Sequence, residues 1–331
     1  MKPPSKASIE RCPANRLGID YRQVPPRKTT GPILDAHTHL NDLPSARRLM
    51  EAAELYGITH LLSMTPLEAA AELREAFGPR VRFIAIPRWK EQQVSSAFQR
   101  QWIDDLARFR TLGARLCKFW MAPPMRERHG LTLPHEFLRP VIRAALELGY
   151  HLMVHVGDPS VWWQPGARYA DQARFGSKLD QYPQLEWLLE HVSPRLVIAA
   201  HMGGFIEDPA FLQRLLDRYP NLLLDTSATR WMVRETARRP AAVREFLLAN
   251  PGRVLFGTDL VASAKYDSFE HYASRYWAHL QMWETCYQGE SPIEDPDAPD
   301  PPRLIGLDLP CDILSKMYFE NALAAGFVDI D

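Results

Sequence analysis

Short apolar runs recur along this chain, and most end on a polar residue or a turn. Runs beginning at Ile33, Ile58, Val81, Gly113, His151, Leu196, Asn221 and Val254 have the length and composition of buried β-strands. The segments between them are long enough for crossover helices, which parallel strands require. After Pro134, the residues Leu138, Val141, Ile142, Ala145 and Leu148 share one helical face, and Gly149 stands where a helix should stop. Similar periodicity covers 49–56, 185–189, 211–216 and 243–248. Eight strand-helix units predict an α/β fold: one eight-stranded parallel β/α (TIM) barrel, a single domain over residues 31–331.

Three stretches fall outside this repeat. Residues 1 to about 30 are rich in Pro, Lys and Arg and predict an arm lying on the barrel or a mobile tail. Residues 157–180 form a long loop after the fifth strand, with Trp162, Trp163, Arg168, Tyr169 and Lys178. Residues from about 260 to 309 form a larger insertion after the eighth strand. It carries an acidic, Pro-rich stretch from Glu294 to Pro302, and Tyr272, Tyr276, Leu280, Trp283 and Tyr287 recur in it at three- and four-residue spacing, as on a packed helix face. Both long loops leave the C-terminal strand ends, where β/α barrels build their active sites.

Composition narrows the classes. The chain has 331 residues, 46% of them hydrophobic, and a net charge of −1, which gives no electrostatic case for a nucleic-acid partner. No long uncharged apolar run predicts a membrane span, and the Met1–Lys6 segment lacks the apolar core of a signal peptide, so a cytoplasmic protein with no membrane partner is the expectation. Cys12, Cys117, Cys286 and Cys311 are far apart and predict unpaired thiols.

Candidate chemistry gathers at the strand ends. His37 and His39 alternate onto the same side of the first strand, about 6.5 Å apart along the chain. His155 closes the fifth strand, His201 follows the sixth and enters Met202-Gly203-Gly204, and Asp259 follows Gly257-Thr258 after the eighth. Each alone has an ordinary reading as a core, turn or cap residue. Their equivalent placement makes them one candidate metal site.

These residues, with Asp35-Ala36-His37-Thr38-His39 and Tyr318-Phe319-Glu320-Asn321-Ala322, resemble the amidohydrolase superfamily. More narrowly, the chain from about residue 31 onward is similar to the branch holding amidohydrolase-related hydrolases and aminocarboxymuconate-semialdehyde decarboxylase-like enzymes. The resemblance implies that His37, His39, His155 and Asp259 bind one divalent metal ion. It also implies that His201 stands beside that ion's water as an acid/base or polarising group. Such a ligand set with an open position suits zinc, with manganese as a second candidate, and lowers the pKa of a bound water from 15.7 toward about 7. Asp259 is then also a candidate to accept a proton.

Lys118 stands near the position at which binuclear members of the superfamily carry a carboxylated lysine. The other motifs favour one metal, and leave Lys118 as a candidate to face a substrate carboxylate. Arg230 and Arg275 are further candidates to clamp a carboxylate, although solvent or structural pairing fits Arg275 better. Trp162 and Trp163 either close over a ligand or anchor their loop.

Three functions follow from these expectations. The first is a hydrolase that activates water at a mononuclear metal to cleave a small amide, lactone or ester-like substrate. The second is a nonoxidative metal-dependent decarboxylase (a lyase) of an aromatic or unsaturated carboxylic acid. The third, a non-catalytic metal-stabilised binding protein, is disfavoured by His201, because a structural site needs no fifth polar group. A small molecule is the expected partner, with a second copy of the chain as a candidate through the insertion.

Overall fold

The computed structural model describes residues 11–88, 93–266 and 268–329. Its barrel strands are β1 (Ile33–Leu40), β2 (Ile58–Met64), β3 (Val81–Ala85), β4 (Leu116–Trp120), β5 (His151–His155), β6 (Val197–Ala199), β7 (Leu222–Asp225) and β8 (Val254–Leu255). Each pairs in parallel with the next. The chain leaving β8 closes the ring. Ala36 N donates to Phe256 O (2.9 Å), Asp259 N donates to His37 O (2.7 Å), and a short strand β9 (Leu260–Ala262) then pairs with the end of β1. The architecture is the eight-stranded parallel β/α barrel that the eight apolar runs predict.

Both faces of these strands are covered, which explains why they read as continuous apolar runs rather than alternating ones. Ile33, Leu34, Ala36, Phe119, Met153, Val154, Ile198 and Leu222 are all buried. Outside lie the crossover helices, several started by a side-chain cap: Asp42 accepts from Ser45 N, Ser95 from Phe98 N and Asp208 from Phe211 N. The helix expected after Pro134 spans Arg139–Glu147, buries Val141, Ile142 and Ala145, and is followed by Gly149 at φ +81°. The fourth strand starts at Leu116 rather than at Gly113. Gly113, at φ +85°, donates its N–H to Arg110 O and so terminates the helix Ser96–Thr111 instead of opening a strand.

Of the N-terminal segment, residues 11–30 lie on the barrel, and residues 1–10 are outside the described residues. Tyr21 is buried, Arg27 Nε donates to Glu284 Oε1 (2.8 Å), and Arg16 pairs with Asp300 (3.2 Å). The region after β8 is only partly an appendage. Its helix Phe269–Glu284 buries Tyr272, Tyr276, Leu280 and Trp283 and packs against the helices Leu43–Leu55 and Thr229–Arg238 in the outer layer. An antiparallel hairpin follows, β10 (Gln288–Glu290) with β11 (Arg303–Ile305). All four cysteines are free thiols. Among the described residues no helix is long and apolar enough to cross a membrane.

Candidate metal centre

The C-terminal ends of the strands open into a cavity of about 900 Å³ lined by His37, His39, Lys118, His155, His201 and Asp259. The backbone there is unusual. His201, Met202, Ala228 and Asp259 all have φ between +53° and +66°, a region that costs a non-glycine residue on the order of 1 kcal/mol or more and is tolerated where the surroundings enforce it. A carboxylate does the enforcing at Asp259. Asp35 Oδ1 accepts from the N–H groups of His37 (3.3 Å) and Thr258 (3.0 Å), while Oδ2 accepts from Thr258 Oγ1 (2.6 Å) and Tyr276 OH (3.2 Å). Complete burial pushes the Asp35 pKa up to about 7 despite these donors. Asp35 thus ties the turn that bears Asp259 to the strand that bears His37 and His39.

His37 and His39 meet Asp259 in space. Asp259 Oδ1 lies 3.3 Å from His37 Nε2 and 3.2 Å from His39 Nε2. Ligand atoms bound at 2.0–2.1 Å around a tetrahedral ion are about 3.3 Å apart, which matches both separations from Asp259, and the three ligand atoms lie within 4.8 Å of one another, close enough to hold one ion. Burial opposes ionisation of Asp259, but its hydrogen bonds to His37 and His39 outweigh burial and hold its pKa well below the usual carboxylate range. Burial and Lys118 disfavour a protonated His37, yet Asp225 and Asp259 outweigh them and raise its pKa, while burial lowers that of His39.

Asp225, the last residue of β7, organises the other side and was not singled out from the sequence. Its Oδ2 is 2.8 Å from His37 Nδ1, and its Oδ1 accepts from His201 N (2.8 Å), Ser227 N (3.1 Å) and Ser227 Oγ. An Nδ1–H donated to Asp225 leaves the His37 Nε2 lone pair for a cation, the usual carboxylate-histidine support of a metal ligand. His37, Asp225 and His201 are also close enough to hold an ion themselves. Asp225 is already surrounded by donors, however, so that triad reads as a hydrogen-bonded support. Burial works against its charge, and His37 more than compensates, keeping Asp225 below the usual carboxylate pKa. The available signal was an acid closing the apolar run Leu222-Leu223-Leu224, the same pattern that marked the histidines.

His201 is fixed through Ser227. Since Ser227 Oγ donates to Asp225, it accepts from His201 Nδ1–H (2.7 Å), and no described residue bonds His201 Nε2. Burial, reinforced by His155, keeps His201 neutral by lowering its pKa well below 6.5. It therefore presents an unprotonated nitrogen with a free lone pair at the cavity.

His155 lies apart from the His37, His39 and Asp259 cluster. Its Nε2 donates to Asp158 Oδ1 (2.8 Å), whose Oδ2 accepts from Tyr169 OH (2.8 Å), leaving Nδ1 as its available nitrogen. Its ring is 4.6 Å from that of His201. The loops after β5 and β6 press together behind it. A Cβ on Gly204 would meet Gly157 O at 2.0 Å, and Lys178 Nζ donates to both Asp158 O and Gly204 O.

The long loop after β5 supplies much of the cavity wall. Trp162 lines it, donates Nε1–H to Asp297 Oδ2 (2.9 Å), and carries the Arg168 guanidinium 3.8 Å above its ring. Trp163 instead anchors the loop by donating to Gly176 O (2.9 Å). Trp231, 5.0 Å from Trp162, completes an aromatic wall with Trp120.

Neither proposed arginine lines this cavity. Arg230 is exposed beside the insertion, near Arg234 and Arg303. Arg275 is buried in the outer helix Phe269–Glu284 and donates to His271 O (3.1 Å) and Ser274 Oγ (2.9 Å) of its own helix. Lys118, by contrast, lies at the cavity with its pKa lowered by burial to about 8.

The fold is similar to that of 4-oxalomesaconate hydratase LigJ from Rhodopseudomonas palustris (12% identity, 88% of this chain and 95% of that one, TM-score 0.49). It is also similar to HMG-CoA lyase from Bacillus subtilis (13%, 88% and 91%, 0.42) and to an amidohydrolase from Mycoplasma synoviae (10%, 69% and 72%, 0.40). No curated protein matches the sequence. The amidohydrolase family profile matches residues 34–325, from the first buried strand through the last helix, and the chain belongs to the amidohydrolase family.

Proposed function

We propose that the protein is a metal-dependent hydrolase that cleaves a small amide, lactone or ester-like bond at a single divalent ion. The observation that carries this reading is the meeting of His37 Nε2, His39 Nε2 and Asp259 Oδ1 within ion-binding distance, in the same cavity as the unbonded Nε2 of a neutral His201. His37, His39 and Asp259 would hold the ion, with His155 as a fourth ligand through Nδ1. Zinc fits this nitrogen-rich set and manganese is an alternative. When bound, the ion supplies Lewis acidity and a lowered pKa for water at neutral pH.

The residues of the chain do the rest. His201 Nε2 takes up a proton in the cavity or returns one to the leaving group, and the imidazolium so formed is steadied through Nδ1–H, Ser227 and Asp225. Trp120, Trp162 and Trp231 exclude water from one side and give a flat substrate an apolar surface. A volume of about 900 Å³ suits a small molecule.

Lys118 and Arg168 also make this cavity receptive to a carboxylate, which favours nonoxidative decarboxylation of an aromatic or unsaturated acid as a second reading. In that case His201 would deliver the proton to carbon. Substrate profiling with product analysis separates the two, because only decarboxylation releases carbon dioxide without consuming water. Either reaction requires metal-dependent turnover that falls at least about a hundredfold in His201→Ala with metal content unchanged. Full activity in that variant would reject the acid/base role.

A further inference from the structure

We propose that Lys118 is the anion anchor of this site, holding a substrate carboxylate on a small planar body beside His37, His39 and Asp259. The inference rests on the proposed reading of the same cavity. Lys118 is the central residue of β4, is only 4% exposed, and lines the cavity. Its Nζ is buried and makes no hydrogen bond with any described residue. An ammonium has three protons to donate, and burying it without acceptors is costly, so such a group marks a place where a partner from outside the chain belongs.

The contrast with the other buried lysine is direct. Lys178 Nζ donates to two carbonyl oxygens and lies 3.6 Å from Glu207, which is the arrangement of a structural lysine. Lys118 has nothing equivalent. The carboxylates of Asp225 and Asp259 attract it through space, but their hydrogen bonds go to histidines and to Ser227 instead. The missing partner must therefore bring its own acceptors. Trp120 at the end of the same strand, with Trp162 and Trp231, provides flat apolar surface for the rest of the ligand. A carboxylate joined to an aromatic or unsaturated carbon skeleton satisfies both halves of the cavity.

Benzoate and benzamide share a shape and differ in charge, so calorimetric titration of the metal-bearing protein with each provides the test. The expected result is at least tenfold tighter binding of benzoate by the wild type and loss of that preference in Lys118→Met, with benzamide affinity and metal content unchanged and the melting temperature no lower than in the wild type. Equal affinities in the wild type, absence of benzoate binding, or a preference retained in Lys118→Met would overturn the proposal. A readout on the wild type alone guards against misfolding of the variant: benzoate, and not benzamide, should protect Lys118 from acetylation as followed by peptide mass. Unprotected Lys118 would overturn the proposal, as would a lysine carbamate detected after incubation with ¹³C-bicarbonate. Metal content and metal-dependent turnover of the wild type are read separately, so the anchor can fail while the hydrolase reading stands.

Discussion

The two sides of the cavity are built differently. On the side of β1, β6, β7 and β8, most of the ligand-type residues are gripped from behind: Asp35 holds the Asp259 turn, Asp225 holds His37, and Ser227 links His201 to Asp225, while His39 meets Asp259 itself. On the side of β5, the hydrogen bond of His155 among the described residues goes to Asp158, which Tyr169 then ties to a long surface loop. The first side rests on barrel strands and the second on a loop stapled by Lys178 and roofed with tryptophans. In the proposed reading, this division separates a rigid half that would hold the ion from a half whose shape would choose the ligand, in keeping with specificity residing in barrel loops.

Four substitutions probe that division. The largest effect is expected on the rigid side, where His201→Ala should lower kcat by at least about a hundredfold while metal analysis still finds the ion. Next, Asp225→Asn should weaken metal affinity roughly 10- to 100-fold, because the amide cannot accept from His37 as a carboxylate does; chelator competition measures it. An unchanged affinity would break the claim that this half holds the ion from behind. On the loop side, Tyr169→Phe removes one hydrogen bond to Asp158 and should cost about 1 kcal/mol of stability and raise KM more than it lowers kcat, as read from denaturation and steady-state kinetics.

The effect smallest at neutral pH concerns how the rigid half is supported. Trp283 Nε1 donates to His279 Nδ1 (3.1 Å), so His279 Nε2–H donates to Thr229 Oγ1 (3.1 Å), which donates to Thr258 O (3.2 Å) beside Asp259. Burial lowers the His279 pKa from 6.5 to about 3. Between those values the unfolded chain binds the proton and the folded one does not, so stability rises with pH and is lost as pH falls below 6.5. His279→Gln should flatten the acid limb of a stability-pH curve by up to about 1.4 kcal/mol per pH unit relative to wild type. An identical slope would remove His279 from this account.

The barrel was legible because its strands are buried on both faces, so that runs such as Leu196-Val197-Ile198-Ala199 stand out without any alternation. The helix Ser96–Thr111 was not delineated, although its buried Phe98, Trp102, Leu106 and Phe109 recur at the same helical spacing as the face after Pro134. The site histidines were legible because each follows an apolar strand. Asp225 carries the same mark but was passed over, because a single acid at a strand end is also an ordinary turn former. The orientation of Arg275 was beyond reach, since it depends on which face of an outer helix meets the barrel. The split role of the tryptophans was equally hidden: Trp162 and Trp163 are adjacent, yet one lines the cavity and the other pins the loop.

The central claim is that one ion is gripped by His37, His39 and Asp259 and supported by the rigid half. Elemental analysis after zinc reconstitution tests it most directly, on wild type, His39→Ala, Asp259→Ala and Lys118→Met. The account predicts one zinc per chain in the wild type and in Lys118→Met, and its loss in the other two. Two ions in the wild type with both lost in Lys118→Met, or full occupancy in Asp259→Ala, would contradict it.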